Sequence, residues 1–158
     1  MLDKFKKLPL RKGVGVILLN SENKVFVARR IDNPKDFWQM PQGGVDKNED
    51  FLTAALRELK EETSIENVEL IKELDGTTTY ELPENLLGII WKGKYRGQEQ
   101  KWFLMRVKGN ENEINLRTKH PEFLDWQWIK LDKITKYVVN FKLDTYEIIK
   151  NKVKKIIN

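Results

Sequence analysis

GGVDKNEDFLTAALRELKEETSI, residues 43–65, is the stretch on which the fold turns. Phe51, Leu52, Ala55, Leu56 and Leu59 recur at helical spacing and predict an amphipathic helix from Phe51 to about Thr63 with one buried stripe. Asn48-Glu49-Asp50 supplies the residue types of a helix start, and the glycine pair Gly43-Gly44 leads into it. The same helix carries Glu58, Glu61 and Glu62, whose spacings of three and four residues put them on one face. Like charges crowded in this way repel, and the last two lie near the helix C-terminus, where the macrodipole disfavours anions. Each effect amounts to about 0.2–1 kcal/mol. All of them act in one direction, and a bound divalent cation would reverse their sign.

Outward from this helix, the pattern alternates between strands and turns. Residues 14–19 read as a buried strand, 21–24 as a polar turn, and 25–28 as the hairpin partner. Asp32-Asn33-Pro34-Lys35 marks a second break. Beyond the helix, residues 68–71, 88–91 and 101–107 read as strands, and Trp126-Gln127-Trp128-Ile129 alternates inward and outward as a strand does. Phe141, Tyr146, Ile149, Val153 and Ile156 predict a closing amphipathic helix from about residue 140 to 157. The order is mixed α/β, without repeats or low-complexity segments.

A chain of 158 residues suits one domain, expected to span 1–158, because no Gly/Ser- or Pro-rich linker divides it. With no cysteine, thiol catalysis and thiolate zinc sites are excluded. The N-terminal MLDKFKKLPL lacks the apolar core of a signal peptide, and no apolar run approaches the roughly 20 residues that span a bilayer. A cytoplasmic protein with no membrane partner is the expectation. The formal charge of +5 is concentrated at one end: residues 130–158 hold eight lysines against Asp132, Asp144 and Glu147. Such an excess attracts a polyanion such as RNA or serves solubility alone.

Hard oxygen ligands without histidine or cysteine favour magnesium, manganese or calcium over zinc. Magnesium takes a few carboxylates together with waters and substrate phosphate oxygens, so an acidic helix face is a partial site that a phosphorylated substrate completes. The chemistry expected is in-line attack of water on phosphorus, with a nearby carboxylate taking the proton. The competing reading is a solvated helix face on which Arg57 and Lys60 make surface ion pairs with the glutamates.

The flanking residues separate the two. Gly43, Glu49, Arg57, Glu58, Leu59, Glu61, Glu62 and Ile65 fill eight of the nine specified positions of the Nudix box, G-x5-E-x7-R-E-U-x-E-E-x-G-U with U aliphatic. Chance would produce this on the order of once in 100,000 chains of this length. The sequence thus resembles the Nudix hydrolases, and the resemblance implies an α/β Nudix fold, an αβα sandwich with a mixed central sheet. It also implies that Glu58, Glu61 and Glu62 ligate Mg²⁺ or Mn²⁺, that Gly43 joins the metal set, that Arg57 orients carboxylates in catalysis, and that Glu49 supports the loop-helix-loop. The one departure is Ser64 in place of the box glycine, where serine must bear strain or bend the chain differently.

The likeness continues outside the box to the bacterial RNA pyrophosphohydrolases and dinucleoside polyphosphate hydrolases of this family. It rests on VFVARR (25–30), WQMPQGG (38–44), QKWF (100–103), EINL (113–116), PEF (121–123) with Trp126 and Trp128, and VVNFK (138–142). By that resemblance Glu122 completes the metal site or acts as base, Phe141 stacks on the first base of an RNA, and Arg11, Arg30, Gln100, Lys101 and Lys142 meet the phosphate chain. The family's usual Tyr-Arg-Pro-Asn-Val-Gly stands here as Leu10-Arg11-Lys12-Gly13-Val14-Gly15. His120, the only histidine, gives no support to serine-histidine or cysteine-histidine mechanisms and reads as a loop residue. The expected activity is magnesium-dependent cleavage of pyrophosphate linkages, with 5′-triphosphorylated RNA as substrate and a 5′-monophosphate as product. A dinucleoside polyphosphate substrate, such as diadenosine tetraphosphate, and a non-enzymatic nucleotide- or RNA-binding module are the alternatives.

Overall fold

A computed structural model describes residues 2–32 and 35–157. The expected break at 32–35 therefore falls in part, at Asn33 and Pro34, outside the described residues.

The chain opens with a short helix, α1 (Leu2–Lys6), and then enters the central strand β1 (Leu10–Leu19). Seven consecutive residues of β1, from Gly13 to Leu19, are buried. That run without polar alternation is what a strand covered on both faces requires. Val14, Val16 and Leu18 pack to one side and Ile17 and Leu19 to the other. β2 (Val25–Arg30) returns antiparallel, and the short β3 (Gln42–Gly44) pairs with the start of β1. The box helix α2 (Phe51–Thr63) follows, then β4 (Val68–Glu73), β5 (Thr78–Glu81), β6 (Gly97–Val107), β7 (Phe123–Ile129) and the closing helix α3 (Leu143–Ile157).

The sheet order is β4-β6-β1-β2-β7, with β3 added to β1 and β5 to β6. β1 and β6 run parallel over ten residue pairs and the other neighbours are antiparallel, which makes the sheet mixed. Ala54, Ala55 and Leu59 of α2 close one face over Val14, Val16, Phe26 and Phe103. Tyr146, Ile149 and Val153 of α3 close the other over Ile17, Val27, Trp102 and Leu104. The expected αβα sandwich is what the chain forms.

One expected strand is absent. Residues 88–91 make turns that run into a 3-10 segment, Ile90–Gly93. Gly88, Trp91, Lys92 and Gly93 all have positive φ, from 52° to 77°, so the chain curls on itself, and Ile89 is left 68% exposed with no packing to hold it extended. The closing helix also begins later than its periodicity predicts. Asn140–Lys142 is a separate 3-10 turn, which takes Phe141 off the helical stripe, while Tyr146, Ile149 and Val153 are buried as expected. β3 and β5 carry too few apolar residues to show a period, and only pairing with longer strands makes them strands.

Candidate active site

The acidic helix is fixed at both ends by its own sequence. Asp50 caps it by accepting from the Thr53 N–H at 2.7 Å. Arg57 ties the preceding loop to it: Nε and Nη2 donate to the two oxygens of Glu49 at 2.8 and 2.9 Å, and Nη2 also donates to the Gly44 carbonyl at 2.8 Å. The fork holds the Glu49 carboxyl down at about 2 and lifts the guanidinium above its ordinary range. Through Nη1 the same side chain reaches Glu58 at 2.9 Å and Glu61 at 3.2 Å. At the other end Ser64 adopts the left-handed conformation itself, at φ 69° and ψ 4°. Its backbone N–H donates to Lys60, and its hydroxyl donates to the Asn115 carbonyl at 2.8 Å, so the strain of the missing glycine is offset by a tie to the loop at 113–116.

The three helix glutamates have unequal surroundings. The Glu61 side chain is 58% exposed and the Glu58 side chain 15%, while Glu62 is 2% exposed as a residue. No well-aligned hydrogen bond reaches either Glu62 oxygen among the described residues, and the Gln42 backbone N–H is near enough only to bias its charge. Burial, then the nearby charges of Glu122 and Glu58, push the Glu62 carboxyl well above the usual glutamate range, opposed more weakly by Arg30 and by the Gln42 backbone. Burial also raises Glu58, and Glu61 and Glu122 add to the rise against the pull of Arg57. Gly43 makes room for this, since a Cβ there would overlap the Glu58 carboxyl. Among the described residues no three acidic or histidine side chains converge on one ion-sized point. The donor set nevertheless fits a hard dication: a buried carboxylate with both oxygens unpartnered and two more carboxylates within electrostatic reach is what such an ion would satisfy.

Positive charge stands beside the acids. Arg30 is paired with Asp32 through two 2.8 Å bonds, and Glu122 and Glu62 both act on its charge. Lys142 is buried, with Nζ 5.5 Å from the centre of the Tyr80 ring and 5.9 Å from that of Phe141. Burial pushes its ammonium down to about 8, Arg30 adds to the shift, and Glu62 and Asp32 resist it. Phe141 lies against Tyr80 at 5.6 Å between ring centres. Gln100 is buried and donates to Gln42 at 2.9 Å. Arg11 stands over Trp91 at 5.2 Å, donates to Gln98 at 2.8 Å, and lines with Gly44 and Glu58 a cleft of about 330 Å³. Lys101 is held elsewhere, by Glu73 at 3.6 Å and the Gly76 carbonyl at 3.1 Å, and strand alternation turns it to the face opposite Gln100. Glu122, exposed on the approach to β7, accepts from the Ile31 N–H through its carbonyl.

Sequence reasoning overlooked Tyr80, Gln42 and Trp91. Tyr80 sits in a four-residue strand with no apolar period, and Gln42 reads as part of a glycine turn. Trp91 reads as a strand residue, and its left-handed backbone has no signature in the sequence.

A mixed sheet between two helices, with a capped acidic helix at its active edge, defines a Nudix protein. The chain belongs to this family: the NUDIX domain matches residues 9–150. It is 69% identical over 158 residues to the RNA pyrophosphohydrolase of Pelagibacter ubique, covering 100% of both chains. It is 49% identical over 146 residues to the RNA pyrophosphohydrolase of Roseobacter denitrificans, covering 91% of each. Among solved structures, the E. coli dihydroneopterin triphosphate pyrophosphohydrolase matches with a TM-score of 0.68 at 22% identity, covering 94% of this chain and 99% of that one. A C. elegans Ap4A hydrolase complex matches with 0.63 at 19% identity, covering 90% and 98%. These two establish the fold, and the sequence relatives make the chain a Nudix pyrophosphohydrolase. Nudix hydrolases in general use divalent metals.

Proposed function

We infer that this chain, acting as one domain in the cytoplasm, hydrolyses the pyrophosphate linkage of 5′-triphosphorylated RNA with Mg²⁺ or Mn²⁺. Water adds its oxygen to phosphorus, an anhydride bond breaks, and pyrophosphate leaves 5′-monophosphate RNA behind. The observation that carries the substrate class is the 69% identity, over the full length of both chains, to an RNA pyrophosphohydrolase. The unpartnered Glu62 carboxylate supports the metal.

When bound, the cation supplies Lewis acidity at the phosphoryl group and acidifies a coordinated water. Glu58, Glu61 and Glu62 present the oxygens that would hold it, with Glu122 and the Gly43 backbone completing the set or Glu122 accepting the water proton. Arg57 keeps Glu58 and Glu61 turned toward the site, and Glu49 keeps Arg57 in place. Arg11, Arg30 and Lys142 offer positive charge to the phosphate chain, and Phe141 offers a ring to a base, a contact worth roughly 1–3 kcal/mol. Gln100 acts at one remove, through Gln42, while Lys101 is engaged by Glu73 and the Gly76 carbonyl on the other face.

The test is a time course with magnesium on 5′-triphosphorylated RNA, run beside diadenosine tetraphosphate. The expected result is monophosphorylated RNA with the higher kcat/KM on RNA. A higher kcat/KM on the dinucleotide would transfer the assignment to that class, and no turnover of either would leave a binding module.

A further inference from the structure

The edge strand β7 finishes in a cleft of about 450 Å³. Its walls include Trp38, Trp128 and Tyr137 together with Lys24, Lys130 and Lys133. Lys24 is paired with Glu22 at 3.8 Å, whereas Lys130 and Lys133 have no carboxylate within ion-pair distance among the described residues. The one acid in the wall, Asp36, accepts from the Trp38 indole N–H at 2.7 Å and keeps its charge, so the wall carries three lysines against one carboxylate. Asp132, next to Lys133 in sequence, is neutralised by Lys154 of α3, which also brings the basic end of that helix alongside. Cations already stand on the rings: Arg29 lies 5.6 Å from the centre of Trp38 and Lys136 lies 5.5 Å from that of Tyr137.

Unpaired lysines interleaved with aromatic rings are what a single-stranded nucleic acid recognises, the lysines meeting phosphates and the rings meeting bases. The position also suits a chain already held by its 5′ end. Glu122 immediately precedes β7 and Ile129, at its far end, lines the cleft, so the seven residues of the strand separate the two places by about 20 Å at roughly 3.3 Å per residue. We propose that this cleft is a second RNA-binding site, which holds the body of the substrate strand downstream of the 5′ end engaged at the acidic helix. A nucleotide or a dinucleotide does not reach it. The proposal rests on RNA being the substrate, and it assigns to the basic C-terminal region a role beyond solubility.

The experiment compares the wild type with the double variant Lys130→Ala and Lys133→Ala, with Tyr137→Leu, and with a charge control at the opposite sheet edge, Lys72→Ala and Lys108→Ala. Substrates are a triphosphorylated dinucleotide and an unstructured triphosphorylated RNA long enough to pass the cleft. The double variant should raise KM on the long RNA by about tenfold and flatten its salt dependence, as lost phosphate contacts do. Tyr137→Leu should raise the same KM without changing the salt slope. Neither should alter KM or kcat on the dinucleotide, and the control should leave all values in place. Equal effects on both substrates, no effect on either, or an equal effect in the control would overturn the proposal. Binding of the same RNA carrying a 5′-hydroxyl, followed by fluorescence anisotropy, reads the cleft without hydrolysis. If the wild type fails to cleave RNA, the substrate reading falls, and a weaker affinity of the double variant for this RNA still supports the cleft, whereas an unchanged affinity removes it.

Discussion

Glu62 concentrates the physical problem at a single residue. A carboxylate shielded from water without aligned hydrogen bonds is expensive in the folded chain, and either a proton or a ligand that brings positive charge relieves it. Glu62→Gln should therefore lower kcat by several orders of magnitude while leaving the metal-free protein as stable as the wild type or more so. Paired activity assays and metal-free melting curves check this, and a variant that is both active and less stable would contradict it. Lys142 allows a prediction with pH. Its folded-state value of about 8 lies below the ordinary 10.5, so the unfolded chain binds the proton more tightly between those values and stability from this group rises with pH across that window. Relative to Lys142→Met, the wild type should gain stability from about pH 8 to 10.5 and show a constant deficit below it, as followed by denaturant midpoints. None of this was legible at the level of residue type. Glu58, Glu61 and Glu62 are equivalent letters in a helix pattern, and their different burial comes from β3, the loop before β7 and the turn at 140–142, which are distant in sequence.

At the scale of elements, α2 was readable because several local signals agree on it. Its apolar stripe, the Asp50 cap and the loop-bracing pair of Glu49 and Arg57 all lie within one short stretch. β1 was readable from its buried run, although its first four residues, Leu10 to Gly13, join the strand only because Gly97–Gln100 of β6 lie beside them. The strand expected at 88–91 failed for the opposite reason: Ile89 and Ile90 look buried in sequence, but the glycines at 88 and 93 turn the chain before it can pair. Ser64 shows a local rule overridden at modest cost. Ser64→Gly should relieve about 1 kcal/mol of left-handed strain and lose a hydrogen bond of about the same worth, so stability should stay nearly level. Ser64→Ala keeps the strain and loses the bond, and should be less stable by about 1 kcal/mol in urea unfolding. Arg57→Lys keeps the charge without the fork. It should keep the fold by circular dichroism and lower kcat more than it raises KM.

For the whole molecule, the layering follows from one strand. Because β1 is apolar on both faces, a helix must cover each, and α2 and α3 are the two stripes long enough to do so. The active edge then forms where β1, β3, α2 and the turn before α3 meet, which is why residues as far apart as Arg11, Glu62 and Lys142 share it. The family likeness points to most of these residues, and the one that stands apart from the others is Lys101, which the pleat of β6 turns away. The claim that an acidic helix face on this scaffold exists to hold a dication can be put to one measurement: calorimetric titration of the metal-free chain with Mn²⁺, wild type against Glu62→Gln. Saturable binding in the wild type that weakens at least about tenfold in the variant is the predicted result. Equal binding by both, or none by the wild type, would contradict it.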